Sequence, residues 1–210
     1  GCMLARFGAI VTKIDPVKPM YAPDVTVVYG VVVNIGKKSI LLDISSPFGR
    51  TVLERLIRDS DVILVNATSN CLTRMGLTDS TVAEINPDAI LMRFDAWGGP
   101  NEDQGRMSQF VGYDDNVQAG IGIMHRFGGG IDTVEEHAHI GTIDVIAGVA
   151  GALGVVAALW TRKHKKRVRQ VRTSLASVGQ YLQYPFMFER VFPTIGRGVS
   201  CRGVHEGHKL

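Results

Sequence analysis

Sixteen consecutive residues, Val145 to Trp160, carry no charge, and the residue in front of them is an aspartate, Asp144. A run of that length and composition forms either a buried helix or part of a membrane span. A span needs about 20 apolar residues, so the run predicts a core helix over 143–162 rather than one inserted in a bilayer. Gly148, Gly151 and Gly154 recur every three residues along it, a spacing that suits close approach of neighbouring elements. The carboxylate is the awkward part. At the head of an apolar run it is costly unless it is paired, hydrogen-bonded, set at a helix N-terminus, or used chemically.

The rest of the chain resembles an ordinary globular protein. Of its 210 residues, 45% are apolar and 20% charged, enough for one full core and one or two domains. A net charge of +3 gives no reason to expect nucleic acid. The positive charge is uneven, however, because Arg162, Lys163, Lys165, Lys166, Arg167, Arg169 and Arg172 fall close together. Three widely spaced cysteines, Cys2, Cys71 and Cys201, without a CxxC pair, point to reduced thiols in a cytoplasmic setting and away from zinc. Gly1 to Ala9 reads as the second half of an amphipathic helix closing on a glycine. No start methionine precedes it, so a longer parent protein is expected.

Strand and helix signals alternate along the first half. Ile10–Asp15 is β-rich and stopped by Pro16, 16–38 reads mostly as loop, and Tyr29–Val33 offers a short strand. Ser39–Ile44 is the next strand. Ser45, Ser46 and Pro47 then start a helix through Leu53, Leu56 and Ile57 to Arg58. Asp61–Val65 is nearly all apolar, as a buried parallel strand should be. A short helix around Cys71–Met75 and a second capped by Asp79/Ser80 lead to a strand at Ala89–Phe94. This alternation predicts a parallel α/β layer. From Ala96 to His139 the chain turns glycine-rich, with one helix over Tyr113–Ile123. Long loops of this kind are usually functional. A strand near Arg169–Thr173, a helix over 174–189 and an exit loop complete the reading.

Most of the common chemical signatures are missing. No GxGxxG or GxxxxGK[ST] follows a strand, and Gly128-Gly129-Gly130 reads as a flexible loop. His137 and His139 beside Glu135 and Glu136 have no third ligand in view, so no metal site is expected. The basic stretch lacks interleaved aromatics apart from Trp160, which leaves it a solvated helix end. Spacing alone leaves Asp144 open between a structural ion pair and a catalytic carboxylate.

Several segments, in order, are similar to class III CoA-transferases, the CaiB/BaiF family that includes formyl-CoA transferases. LARFGAIVTKID (Leu4 to Asp15) resembles the family's LADLGADVIKVE, and NIGKKSILLD (Asn34 to Asp43) resembles NRGKRSVALD with Ile35 in place of Arg. DVILVNATSNCLTRMGL (Asp61 to Leu77) resembles DVLVENFRPGVLERLGL, departing at Ala67 to Asn70. Asn86-Pro87-Asp88-Ala89-Ile90 follows, then Gly112-Tyr113-Asp114 with Gln118-Ala119 as in GYDxxxQA, and finally Gly141-Thr142-Ile143-Asp144. The family's RTGRG after the long helix is replaced by Lys163 to Arg169. The GCMLARFGA start is similar to the dimethylsulfoniopropionate CoA-transferase/lyase branch.

That resemblance implies a Rossmann-like open parallel sheet, incomplete at both ends. Residues 1–180 would be the N-terminal part of the large CoA-binding domain, and 181–210 a helix and linker towards a small domain. It implies that Asp144 is the catalytic aspartate and attacks an acyl-CoA thioester. Asn66, Arg74 and Met75 would border the adenosine end of CoA, Lys37 and Lys38 would meet phosphates, and Tyr113 would lie at the substrate. Coenzyme A would be a substrate rather than a bound cofactor, the partner a small carboxylate, and the full-length protein an interlocked homodimer. Two alternatives remain. Racemases of the same fold carry a histidine about 30 positions before the aspartate, where this chain has Tyr113; a phenol is a poor base at neutral pH. The other is a non-catalytic CoA-binding half of a tandem protein.

Overall fold

The structure is a computed structural model that describes residues 1–18, 30–98, 107–127, 141–164 and 167–187. It shows the α/β class expected. In chain order the elements are α1 (Cys2–Arg6), β1 (Val11–Asp15), β2 (Lys37–Leu41), α2 (Pro47–Arg58), β3 (Val62–Asn66), α3 (Ser69–Met75) and α4 (Asp79–Ile85). Then follow β4 (Ile90–Asp95), α5 (Asp114–Gly120), α6 (Ile123–Phe127), α7 (Thr142–Lys163), β5 (Gln170–Ser174) and α8 (Leu175–Met187). β1 and β2 pair in parallel, Val11 opposite Lys37 through Asp15 opposite Leu41. The other sheet has the order β3-β4-β5. Its middle strand β4 is buried at all but one position, with Ile90, Leu91 and Met92 opening it and the charged Arg93 and Asp95 buried further along.

The chain divides into two compact units. The first takes Gly1–Val65, Asn70–Arg93 and Gly151–Val171. Its core gathers Leu53 and Ile57 from one face of α2, Leu72 of α3, Val82 of α4, Ile90 to Met92 of β4, and Val155 and Ala158 of α7. Burying each of the larger side chains stabilises by about 2 kcal/mol. Polar clamps close the helix ends here. Asn86 Nδ2 lies within hydrogen-bond distance of the carbonyls of Ile57, Arg58 and Ser60, at 3.0, 3.1 and 3.0 Å, and so satisfies the end of α2. Arg50 donates to the Met75 and Gly76 carbonyls at 2.7 and 3.1 Å. Arg162, in the last turn of α7, pairs with Asp61 and donates to the Asp88 carbonyl.

The second unit takes Asn66–Ser69, Phe94–Ala150 and Arg172–Leu210. Its core is Ala96, Val117, Ile123, Ile143, Ala147, Leu175, Ala176 and Val178. Arg172 and Asp95 form a largely buried ion pair at 3.0 Å. Two residues at the ends of the basic stretch, Arg162 and Arg172, therefore serve specific structural contacts rather than a merely solvated helix end.

Several boundaries differ from the sequence reading, each for a local reason. Tyr29 lies outside the described residues; residues 30–33 are helical rather than extended, closed by Asn34 N donating to the Gly30 carbonyl. The second strand occupies Lys37–Leu41, not Ser39–Ile44, because Ser45 N and Oγ both donate to Asp43 Oδ1 and turn the chain. Thr78, not Asp79 or Ser80, caps α4 by accepting from Thr81 N. The expected helix over 113–123 breaks into α5 and α6 at Gly122, whose φ of +83° is left-handed.

The largest correction concerns α7. One face, with Ile143, Ala147, Val155 and Ala158, is buried, but Val145, Val149, Leu153, Val156 and Trp160 are exposed. A Cβ on Gly148 would meet nothing within 4 Å, whereas one on Gly154 would lie 2.7 Å from Val171 Cγ1. Gly154 shows the tight notch that the spacing predicted and Gly148 does not. Among the described residues α7 is the one helix long and apolar enough to cross a membrane.

Candidate active site

A glycine stands just before the first turn of α7. Gly141 adopts a φ of +66°, a left-handed conformation that favours glycine, and its carbonyl accepts the first helical bond from Val145 N at 3.0 Å. A glycine in that place has no side-chain oxygen for the unpaired N–H groups that every helix start leaves. The missing acceptor comes from α5. Asp114 Oδ2 accepts the Asp144 N–H at 2.8 Å, across 30 residues of sequence. Asp114 is buried, and its other oxygen, Oδ1, accepts from Nε2 of Gln118, one turn along α5 and fully buried.

Asp144 itself sits in the first turn of α7 with its side chain open to solvent. A helix N-terminus ordinarily favours a negative charge and lowers a carboxyl's pKa. Here the outcome is the reverse. Partial burial, then the negative charge of Asp114 and then that of Asp115, push the Asp144 carboxyl up to about 6. Asp114 also consumes the backbone N–H of Asp144. Such a carboxyl is ionised at pH 7 by roughly ten to one, yet is more basic than an ordinary aspartate. That combination suits a carboxylate nucleophile.

Beside this head lies an apolar cavity of about 290 Å³, lined by Gln118, Ile123, Phe127, Thr142, Ile143, Ile146 and Leu182. Tyr113, the residue before α5, is its N-cap and is exposed. Asn66 ends β3 with its side chain exposed. These residues belong, with Asp144, to the second unit.

The other predicted site residues belong to the first unit. Arg74 and Met75 end α3; Arg74 is exposed, and Met75 Sδ lies 3.5 Å from Cys71 Sγ. Lys37 and Lys38 open β2. Lys37 donates to Asn34 Oδ1 at 3.2 Å, and burial lowers its ammonium pKa, while Lys38 is exposed. His137, His139, Glu135 and Glu136 lie outside the described residues. Among the described residues no group of three or more His, Cys, Asp or Glu could hold a metal ion, and Cys2 and Cys71 are reduced thiols.

The sequence reading missed the role of Asp114 and Gln118, although both stood in the Gly112-Tyr113-Asp114…Gln118 motif. Their four-residue spacing, which puts them on one helix face, was the available signal. Which element they served was not legible, because the partner lies 30 residues away.

Comparison with known proteins bears on this site. The model of the family described as CoA-transferase family III matches residues 1–203. The chain is 43% identical over 186 residues to the CoA-transferase/lyase DddD of Marinomonas sp. (strain MWYL1), covering 89% of this chain and 22% of that protein. It is 34% identical to the formyl-CoA:oxalate CoA-transferase of Rhodopseudomonas palustris (strain TIE-1), covering 82% of this chain and 41% of that one. The fold is similar to the crystal structure of Rv3272 from Mycobacterium tuberculosis, with a TM-score of 0.77 and 25% identity over 88% of this chain and 50% of that one. It also resembles a CaiB/BaiF family protein from Brucella suis, with a TM-score of 0.78 over 89% of this chain and 51% of that one. The chain thus spans from about a fifth to about half the length of these proteins.

Proposed function

We propose that this chain, which belongs to CoA-transferase family III, carries the nucleophile of CoA transfer between an acyl-CoA and a free carboxylic acid, and that the nucleophile is Asp144. The observation that carries the proposal is the first turn of α7, where a solvent-reachable carboxylate is pushed up to about 6. In the proposed cycle an Asp144 carboxylate oxygen attacks the thioester carbonyl carbon. The C–S bond breaks, and CoA leaves as thiolate with the electron pair. The thiolate then attacks the Asp144 carbonyl of the mixed anhydride, giving an aspartyl-CoA thioester and releasing the donor acid as carboxylate. The acceptor carboxylate repeats both steps in reverse. No oxidant or metal enters, and covalent catalysis divides one difficult exchange into easier ones.

Around this centre, Asn66, Arg74 and Met75 are proposed to border the adenosine end of CoA. Lys37 and Lys38 are proposed to face its phosphates, for which ammonium groups are suited, and Tyr113 to face the acyl group. CoA is then a substrate and not a resident cofactor, and the intact protein acts in the cytoplasm as a homodimer. For the acceptor we propose dimethylsulfoniopropionate, on the similarity to the CoA-transferase/lyase DddD.

Trapping tests the reading. The intact protein, incubated with acyl-CoA and hydroxylamine, should acquire a hydroxamate at Asp144, mapped by peptide mass spectrometry. Asp144→Ala should lower turnover about a thousandfold or more. Modification elsewhere, or full activity in that variant, would sink the proposal. Solvent deuterium entering the α-carbon of a 2-methylacyl-CoA would favour a racemase instead.

A further inference from the structure

We infer that Asp114, held in place by Gln118, is the positioning residue of this site: it fixes the head of α7 and sets the charge state of Asp144. The inference rests on the reading of Asp144 as nucleophile, but its geometric basis is separate. A buried carboxylate is expected to be paired with a cation or saturated with hydrogen-bond donors. Asp114 accepts from a side-chain amide, Gln118 Nε2, and from a backbone amide, Asp144 N.

Three features make the arrangement more than a helix cap. First, the cap is non-local. Gly141 has no side-chain oxygen to offer, so the acceptor is imported from another helix. Any shift of α5 therefore moves the first turn of α7 and the carboxylate on it. Second, the donor chosen is the backbone N–H of the reacting residue itself. With that N–H engaged, the Asp144 carboxylate is deprived of a donor that would otherwise lower its basicity. Third, the cap is charged. Serine or threonine would satisfy the same N–H, but only an acidic cap places a negative charge against the nucleophile. Among the described residues the charged groups bearing on Asp144 are Asp114 and Asp115, both on α5. The direction of the Asp144 shift agrees with this picture.

Gln118 completes the device. It is fully buried and its amide faces Asp114 Oδ1, which orients the carboxylate with Oδ2 towards α7. An asparagine at 114 keeps one oxygen for the Asp144 N–H and turns an NH2 towards Gln118, whose amide can flip to accept it. Asp114→Asn therefore removes the charge while preserving the bonding pattern. Asp114→Ala removes both.

The test separates this inference from the function proposed above by reading Asp144 in two ways in the intact protein. One is the pH dependence of carbodiimide labelling at Asp144, normalised to the exposed Asp59, which reports ionisation without turnover. The other is the rate of hydroxamate trapping from acyl-CoA. Asp114→Asn is expected to move the Asp144 ionisation down by about half a unit or more, and the acid limb of trapping with it. Asp114→Ala is expected to slow trapping roughly 10- to 100-fold, with Asp114→Glu recovering part of the rate. Unchanged ionisation in Asp114→Asn together with wild-type trapping in Asp114→Ala overturns the inference while leaving the nucleophile intact. No trapping in wild type, with the ionisation still responding to residue 114, rejects the nucleophile and upholds the electrostatic coupling.

Discussion

α2 and α7 begin in opposite ways, and the contrast separates what holds the fold from what serves the site. α2 is capped from within its own sequence. Ser46 accepts from Gly49 N, Pro47 occupies the first turn, and Leu53 and Ile57 bury one face while Arg50, Glu54, Arg55 and Arg58 take the rest. The carboxylate just before it, Asp43, receives the O–H and then the N–H of Ser45, which hold its pKa below the usual value. α7 has a glycine where Ser46 stands in α2, draws its acceptor from Asp114, and leaves Asp144 pushed up to about 6. A helix that only has to be stable satisfies its ends locally. α7, which carries the proposed nucleophile, instead holds its first-turn carboxylate at a raised pKa, a cost that the surrounding fold bears.

Alanine in place of glycine should have opposite signs in the two helices. A Cβ on Gly49 would lie 1.9 Å from the Asp43 carbonyl oxygen and 2.7 Å from its carbon. Both atoms are backbone, held by the turn that starts α2, so Gly49→Ala should destabilise by about 3 kcal/mol. Gly148 on α7 is exposed and faces open space. There Gly148→Ala should stabilise by about 0.5–1 kcal/mol through helix propensity. Denaturant melts of both variants decide this. A destabilising Gly148→Ala would show that the exposed stripe of Val145, Val149 and Leu153 is covered in the intact protein.

The same contrast explains what the sequence made legible. α2 was readable to its ends because Ser46, Pro47, Leu53 and Ile57 are local signals within one or two turns. The strands β3 and β4 were readable from their apolar residues, but the burial expected of β3 holds only at Val65: Leu64 and Asn66 are exposed and Val62 and Ile63 half-buried. For α7 the length of the helix was legible and its surroundings were not, since an uncharged run looks alike whether one face is buried or all. Within the expected strand, residues 30–33 are helical because Val31, Val32 and Val33 favour extended structure only where a neighbour can pair with them. Asp144 stood out as the lone charge ahead of an apolar run and was given its expected role through motif resemblance, whereas the contact from Asp114, 30 residues away, needed three-dimensional information.

A smaller effect tests whether α2's cap is structural alone. Ser46→Ala removes the acceptor for Gly49 N at 3.0 Å and should cost about 1 kcal/mol. CoA transfer by the intact protein should stay within about twofold of wild type, because nothing at the head of α7 depends on that oxygen. A loss of turnover larger than the loss of stability explains would break the division drawn between the two helices.

The smallest effect is also the most specific, because the two aspartates should tilt stability with pH in opposite directions. Asp144 has a folded pKa of about 6 against 3.8 for the free side chain. Between those values the folded chain holds a proton that the unfolded chain has released, so stability falls as pH rises from about 4 to about 6. Asp144→Asn abolishes that fall and should be the more stable protein at pH 7, by roughly 0.5–1 kcal/mol once solvent screening of an exposed carboxylate is allowed for. Asp43, held low by Ser45, works the other way. Its contribution is present above the ordinary carboxylate range and is lost as pH falls through its depressed value, so Asp43→Asn should weaken the protein at pH 7 and lose that acid-side decline. Thermal midpoints from pH 3 to 8 for wild type and both variants give the answer. If Asp144→Asn keeps the wild-type fall between pH 4 and 6, the carboxylate at the head of α7 is not the strained group that the geometry describes.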